Sequence, residues 1–490
     1  MNLAEILYAS ARAHAHRPAV TDVRSGHTLT YAELGREAER VAAFLKREGV
    51  KPGQRIGLLA PNGTLYLQAA FGLLATGACL VPIAANLTPT EMATIVTEVE
   101  LNGCLASPLT EPMPASGSGV ALSGGACDGF TFAWIRRDAE GPDALRRVNA
   151  AFIRFTSGTT ADRKGVVLSH EATAARVEAA DRVLRFTEED RILWVLPLAY
   201  HFAVTIVAYV RAGAHVLLCS DTFPATIVDS IRQLGASVFY ASPVHFERMS
   251  NLPKGEPLTT LRLALSTSAP IATAVLERFE SVHGVPVGQA YGIIEAGLPC
   301  INRRDGLPPS SVGRAVPGYD VAVFSDAGDR LPPETPGEVG LRGNGLFSAY
   351  YAPWRLREQI ARDGWFLTGD IGRLDENGAL FLHGRKKAVI FVAGLKFFPE
   401  EVEECINQFP GVKESRVFGT PHPHLGEVPR AQVAFLTPSP DLDALRAHCA
   451  RALSPYKVPV EFTLVEATAK TPGGKILRRS GESTVSAELP

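Results

Sequence analysis

Short apolar strand patterns alternate with helical ones through the first hundred residues, and this alternation restricts the fold more than any other feature of the sequence. Arg55–Ala60 is an apolar run closed by Pro61-Asn62-Gly63, a helical stretch follows from about Leu65 to Thr76, and a second apolar run passes through Cys79-Leu80-Val81. Upstream, Leu29-Thr30-Tyr31 leads into a helix that Thr30 can cap and that runs toward Arg47, stopping near Gly49. Strands that alternate with helices imply a mostly parallel sheet covered on both faces.

At 490 residues the chain is long for one core and predicts two or more. Hydrophobic residues make up 46% and charged residues 20%, enough apolar material for a large core without metal or disulfide staples. Lys plus Arg (49) nearly balances Asp plus Glu (51), so no charge imbalance points to nucleic acid or a membrane surface. The seven cysteines are scattered and never spaced C-x-x-C, which argues against a zinc site and for a reducing, cytoplasmic location. The opening segment MNLAEILYASARAHAHRPAV lacks an early positive charge and an unbroken apolar stretch, and does not read as a signal peptide.

Nineteen residues, Ile192 to Val210, carry no formal charge, close to the length of a membrane span. Pro197, Tyr200 and His201 at the centre argue instead for a buried strand, a turn at Pro197-Leu198-Ala199 and a buried helix. Ser107 to Gly125 is rich in Ser, Pro and Gly and reads as a surface loop. Between about Ser310 and Gly345, strand-like pieces Val321–Phe324 and Val339–Arg342 alternate with Gly and Pro turns, predicting a small β unit. Beyond Gly384 a basic strand leads to a helix starting near Pro399, the beginning of a small α/β region.

The chemistry is concentrated in one loop. Thr156, Ser157, Gly158, Thr159 and Thr160 are five consecutive small residues with four hydroxyls, and Lys164 follows as a mobile cation. Backbone N–H groups in such a turn make an anion nest, and the preceding strand Ile153-Arg154-Phe155 puts it at a strand end, where α/β sheets bind ligands. No Ser or Thr follows Lys164, so this is not the G-x-x-x-x-G-K-[ST] nucleotide loop. A solvated Ser/Thr turn is the alternative reading of the loop taken alone.

Together with the segments downstream, the loop resembles the T-S-G-T-T-G-x-P-K-G motif of the adenylate-forming superfamily of acyl-CoA synthetases, luciferases and peptide-synthetase adenylation domains. Ala161 and Arg163 replace that motif's second Gly and its Pro. The resemblance extends over essentially the whole chain and implies an α/β fold. A large N-terminal domain of two α/β sheet subdomains and a small β-barrel-like subdomain (1–386) would precede a small mobile α/β C-terminal domain (387–490), hinged at Lys387. Ser266–Pro270 resembles the family's S-G-G-A-P turn, and the resemblance places Ser268, Ala269 and Pro270 beside adenine. Gln289-Ala290-Tyr291-Gly292-Ile293-Ile294-Glu295 resembles Y-G-x-T-E, with Tyr291 as an aromatic face and Glu295 as an oxygen ligand for Mg²⁺. Ile294 stands where the family has Thr, removing a hydroxyl that contacts phosphate. Asp370 and Arg385 fall on the ribose and ribose–phosphate positions, Gly394 on the thiol-tunnel loop, and Lys475 on a mobile lysine loop that bridges the acid and the α-phosphate.

The implied activity is that of an AMP-forming acyl-CoA synthetase, an acid–thiol ligase using ATP, Mg²⁺ and coenzyme A. Leu196–Phe202 resembles the acid-pocket motif, with His201 near the carboxylate but one residue later than usual. The Asp that binds an amino-acid ammonium in some members is missing, so a fatty or aromatic acid is expected. Two alternatives stand beside this: an enzyme that loads the phosphopantetheine of an acyl carrier protein, and a nucleotide-binding protein with decayed catalysis. No nucleic-acid partner and no membrane span are expected.

Overall fold

The computed structural model describes residues 1–108, 122–127, 129–136, 142–155, 165–392, 395–423, 425–436 and 440–468. Its contacts divide the chain into two compact units, Met1–Val321 with Leu341–Phe366, and Ala322–Gly340 with Leu367–Pro490.

The first unit carries two sheets. In one, Ala150–Phe155, Cys79–Ile83, Arg55–Leu59 and Gly103–Ala106 run parallel in that spatial order. Gly165–Ser169 pairs antiparallel with Ala150–Phe155, and Ala349–Tyr350 pairs with Gly165–Ser169 in turn. In the other sheet Pro18–Asp22, His215–Leu218, Arg191–Trp194, Val238–Ala241, Leu263–Ser266 and Val287–Ile293 are parallel neighbours. Gly297–Asn302 and Gly313–Ala315 extend this sheet antiparallel. The alternation seen in the sequence is therefore the parallel α/β arrangement it predicts. Helix Tyr31–Arg47 begins at the expected cap: Thr30 accepts from the Glu33 amide, and the Glu33 side chain returns the bond to the Thr30 amide.

The charge-free stretch resolves as strand Arg191–Trp194, a turn at Pro197, helix Leu198–His201, a wide π turn Phe202–Ile206 and helix Val207–Arg211, with Ile192, Trp194, Phe202 and Val207 buried. Among the described residues no helix is long and apolar enough to cross a membrane. One sequence expectation fails. Leu122–Cys127 is a strand paired with Phe130–Trp134, so the end of the segment expected to be loop is sheet; residues 109–121 lie outside the described residues. Its composition concealed it because Gly124-Gly125 sits at a register shift between Ser123 and Ala126, where an irregular strand tolerates glycine.

The second unit contains hairpin strands Phe366–Leu374 and Ala379–Arg385, turned at Asp375–Gly378 as expected. It also contains a sheet in the order Leu395–Phe397, Ile390–Val392, Gly426–Phe435, Val412–His422, with Glu461–Leu464 parallel to Gly426–Phe435. Helices Pro399–Asn407 and Leu442–Ala452 cover it, and Val402, Ile406, Val417, Val433 and Leu445 form its core. This is a small α/β layer with its own hydrophobic centre.

Candidate active site

Parallel strands bring their carboxyl ends to one edge of a sheet, and ligands of open α/β sheets bind there. Ala241 is in register with Ser266, and Ser266 with Gln289, so the Ser266–Pro270 turn and the Gln289–Glu295 segment leave the same edge. Ser268 has φ 76°, a left-handed conformation that a residue with a Cβ adopts only at a cost, and one found disproportionately at functional turns. Gly292 is required by close approach, since a Cβ there would lie 2.6 Å from the Gly297 carbonyl oxygen. Tyr291 is buried in strand Val287–Ile293. The Gln289 amide donates to the carbonyls of Pro309 (2.5 Å) and Ser311 (3.4 Å), which binds that side chain to the neighbouring loop.

Glu295 is half-buried, and its Oε1 accepts from the Tyr350 hydroxyl at 3.0 Å. A carboxylate with one neutral donor among the described residues keeps lone pairs for a hard cation, and one carboxylate plus substrate phosphates is a common Mg²⁺ environment. The residues present therefore fit that ion. Two buried arginines lie in the same region. Arg154, on the strand leading to the phosphate loop, donates to the Tyr200 carbonyl, and burial pulls its pKa down to about 10. Arg176, on helix His170–Leu184, donates to the carbonyls of Ile294, Glu295 and Gly345.

The Thr156–Lys164 loop lies outside the described residues, but its two ends are fixed, because Phe155 and Gly165 are register partners of an antiparallel pair. His201 ends its helix half-buried. Its ring centroid lies 5.8 Å from Trp194 and 6.3 Å from Tyr240, while those two rings stack at 5.9 Å. The Tyr240 hydroxyl donates to Thr267 at 3.0 Å, and burial raises its pKa. The π turn Phe202–Ile206 takes an extra residue per turn, and Val207–Arg211 follows it with Val207, Ala208, Tyr209 and Val210 buried.

Two family descriptions match the chain in order: AMP-binding enzyme over residues 7–351, and AMP-binding enzyme C-terminal domain over residues 401–475. The chain belongs to the AMP-binding enzyme family. It is an adenylate-forming protein, most like the acyl-CoA synthetases. A long-chain-fatty-acid–CoA ligase of Yersinia pestis is 28% identical, with 98% of this chain and 93% of that protein covered. A fatty acid–[acyl-carrier-protein] ligase, ScoC, of Streptomyces coeruleorubidus is 31% identical over 95% of this chain and 93% of its own length. Among solved structures, an ATP-bound RpMatB–BxBclM chimera superposes with a TM-score of 0.83 at 25% identity, covering 97% of each chain.

In this AMP-binding enzyme the second unit brings together Asp370 and Arg385, the two residues expected beside ribose. Asp370 is buried and in register with Arg385, whose Nε lies 2.6 Å from Asp370 Oδ1. Lys386 reaches Asp326 and Glu338, both at 2.9 Å, so part of the basic run is ion-paired. Lys387 lies in the short 3₁₀ turn Lys386–Ala388, with its side chain outside the described residues, as are Gly394 and Lys475 entirely. The sequence reading omitted Arg154, Arg176 and Tyr350. Arg176 had left a signal: it falls among Thr173, Val177, Ala180 and Leu184 on the buried face of its helix, where an unpaired cation needs a reason.

Proposed function

We propose that the chain is an ATP-dependent acid–thiol ligase that activates a fatty or aromatic acid as acyl-AMP and passes the acyl group to coenzyme A. The observation that carries this is the ordered match of both family regions along the chain. In the first half-reaction the carboxylate oxygen attacks the α-phosphorus of ATP, the bond to the bridging oxygen breaks, and pyrophosphate leaves. In the second, a thiolate attacks the acyl carbonyl and AMP leaves with the bonding pair. Both steps need positioning and charge neutralisation more than covalent help from the protein.

The roles follow from residue chemistry and the family motifs. Thr156–Thr160 and Lys164 clamp the β- and γ-phosphates. Ser268, Ala269, Pro270, Ala290, Tyr291 and Gly292 surround adenine, with Gln289 behind them. Asp370 accepts from the ribose hydroxyls, and Arg385 turns from its carboxylate partner toward the ribose–phosphate. Glu295 would hold Mg²⁺, which supplies neutralisation of phosphate charge when bound. His201 faces the acid carboxylate, and the Trp194–Tyr240 stack behind it provides an aromatic wall suited to an apolar acid. Lys475 stabilises the charge where carboxylate and α-phosphate approach. In this reading a domain 387–490 turns about Lys387 relative to 1–386, exchanging Lys475 for the Gly394 loop. Cys79, Cys104, Cys219, Cys300, Cys405 and Cys449 are free and buried, which suits a reducing cytoplasm.

A carrier-protein pantetheine is the second reading of the thiol, supported by the 31%-identical relative named as a carrier-protein ligase. Pyrophosphate exchange across a panel of fatty and aromatic acids, followed by thioester assays with coenzyme A and with carrier protein, tests both. Exchange with an apolar acid and a thioester with coenzyme A is the expected result. ATP binding with no exchange for any acid would refute the enzymatic reading.

A further inference from the structure

We infer that Arg176 and Tyr350 are positioning residues that together fix the direction of the Glu295 carboxylate, and so set how well this chain holds metal-bound ATP. The inference rests on the reading of Glu295 as the metal-facing carboxylate and extends it to two residues with no assigned role.

Arg176 is 2% exposed. Its Nε and Nη2 donate to the Gly345 carbonyl at 3.0 and 2.6 Å, Nη1 donates to Ile294 O at 3.0 Å, and Nη2 also donates to Glu295 O at 3.2 Å. Burial lowers its pKa, against which the nearby Tyr319 and Glu295 act in the opposite direction. A cation taken this far from water and bonded to carbonyls is costly unless its geometry matters, because an apolar side chain would cover the same helix face more cheaply. The planar fork is also the group best suited to hold several oxygens at fixed angles.

The turn it holds is fixed at successive residues. The Glu295 carbonyl accepts from the Phe347 amide at 2.7 Å, and the Ala296 carbonyl accepts from the Tyr319 hydroxyl at 2.5 Å. Gly297, at φ 76°, passes beneath the Arg176 stem, where a Cβ would meet Arg176 Cδ at 2.9 Å. With the backbone of Ile294–Gly297 held in this way, one freedom of Glu295 remains, the rotation of its own side chain. The Tyr350 hydroxyl removes it by donating to Oε1 at 3.0 Å. Arg176 thus sets where the Glu295 side chain starts, and Tyr350 sets where it ends. Partners that orient a metal ligand typically change metal affinity by about 10–100-fold when removed.

The test is calorimetric titration of the full chain with ATP in Mg²⁺ and with ATP in a chelator, which isolates the gain in affinity due to the metal. Arg176→Lys keeps the charge but cannot span three carbonyls, and Tyr350→Phe removes only the hydroxyl. Each should cut the metal-dependent gain about tenfold while leaving chelated-ATP affinity within about twofold, and neither should lower it further when combined with Glu295→Gln. A loss that is equal with and without metal, or that persists in the Glu295→Gln background, makes these residues merely structural and overturns the inference. If Arg176→Lys does not fold, Tyr350→Phe decides by the same criteria. A gain lost in Glu295→Gln but intact in both positioning variants refutes the inference alone. A wild-type chain whose gain is unchanged by Glu295→Gln refutes the underlying reading of Glu295, and the inference with it.

Discussion

Replacing His170 by Asn should reduce this protein's sensitivity to mild acid. His170 is the first residue of the helix that carries Arg176, is 1% exposed, and its Nδ1 accepts from the Leu3 amide at 3.0 Å. Protonation would place an N–H on Nδ1 against the Leu3 N–H, two donors in a buried site. Desolvation is the main reason its pKa drops to about 4, outweighing Glu171, which raises it, while the N-terminal ammonium adds to the drop. Because the folded pKa is lowered, the neutral ring's stabilisation is fully present above the unfolded value near 6.5 and is lost as pH falls through the folded value.

At pH 5 the unfolded ring is almost fully protonated and the folded one hardly at all, so the loss relative to pH 8 is about 2 kcal/mol. The Asn Oδ1 lies where the imidazole Nδ1 does and can accept from Leu3 N–H without titrating. Thermal midpoints of wild type and His170→Asn, measured from pH 8 to pH 4.5, should diverge below pH 6.5, with the wild type falling about 2–3 °C further by pH 5. His215 is also lowered to about 4 by burial, and burial lowers His245, His283 and His383 as well, so the variant keeps an acid slope and His170→Asn removes one of several such contributions. Parallel curves, or a variant more acid-sensitive than wild type, would refute the reasoning.

Lys475→Ala should reduce pyrophosphate exchange by about a hundredfold or more while sparing thioester formation from supplied acyl-adenylate; equal losses in both assays would contradict the two-conformation mechanism. Ile294→Thr should raise kcat/KM for ATP, since a hydrogen bond to a charged group contributes about 1.5–3 kcal/mol, or about ten- to a hundredfold, and an unchanged value would show that phosphate is held elsewhere. Asp370→Asn leaves the Arg385 guanidinium without its carboxylate and removes an acceptor for ribose, so ATP affinity should fall by about tenfold or more, with a smaller loss for 2′-deoxy-ATP as the check on mechanism.

What the sequence disclosed follows the range of the interactions involved. Thr30 with Glu33, the turn at Asp375–Gly378 and the break at Pro197 depend on neighbours within a few residues, and each is found where local chemistry put it. Asp370 and Arg385 were legible as motif positions, but their ion pair depends on the register of the hairpin between them. Arg176 was not legible as a site residue, because its carbonyl partners lie 118 to 169 residues away and a carbonyl leaves no mark in a sequence. Tyr350 is hidden for the same reason, 55 residues from Glu295. The Leu122–Cys127 strand was missed because pairing, and not composition, makes it a strand.

Ile294 and Arg176 act on the same peptide from different directions. The sequence alone marks Ile294 as a loss, since a β-branched apolar side chain cannot donate to phosphate. The structure shows that the Ile294 carbonyl is nevertheless occupied by Arg176, so the peptide is anchored through its backbone. These contributions differ in kind. In the proposed reading a hydroxyl at position 294 would add a contact to phosphate, whereas the Arg176 guanidinium, taken up by the carbonyls of Ile294, Glu295 and Gly345, would act by restricting where Glu295 can point. A chain that lacks the first gains more from the second, because a phosphate grip with fewer donors depends more on each remaining group being in place before the ligand arrives. The cost of burying Arg176 is then understandable as preorganisation of Glu295, spent on the folded state and recovered when metal-bound ATP binds.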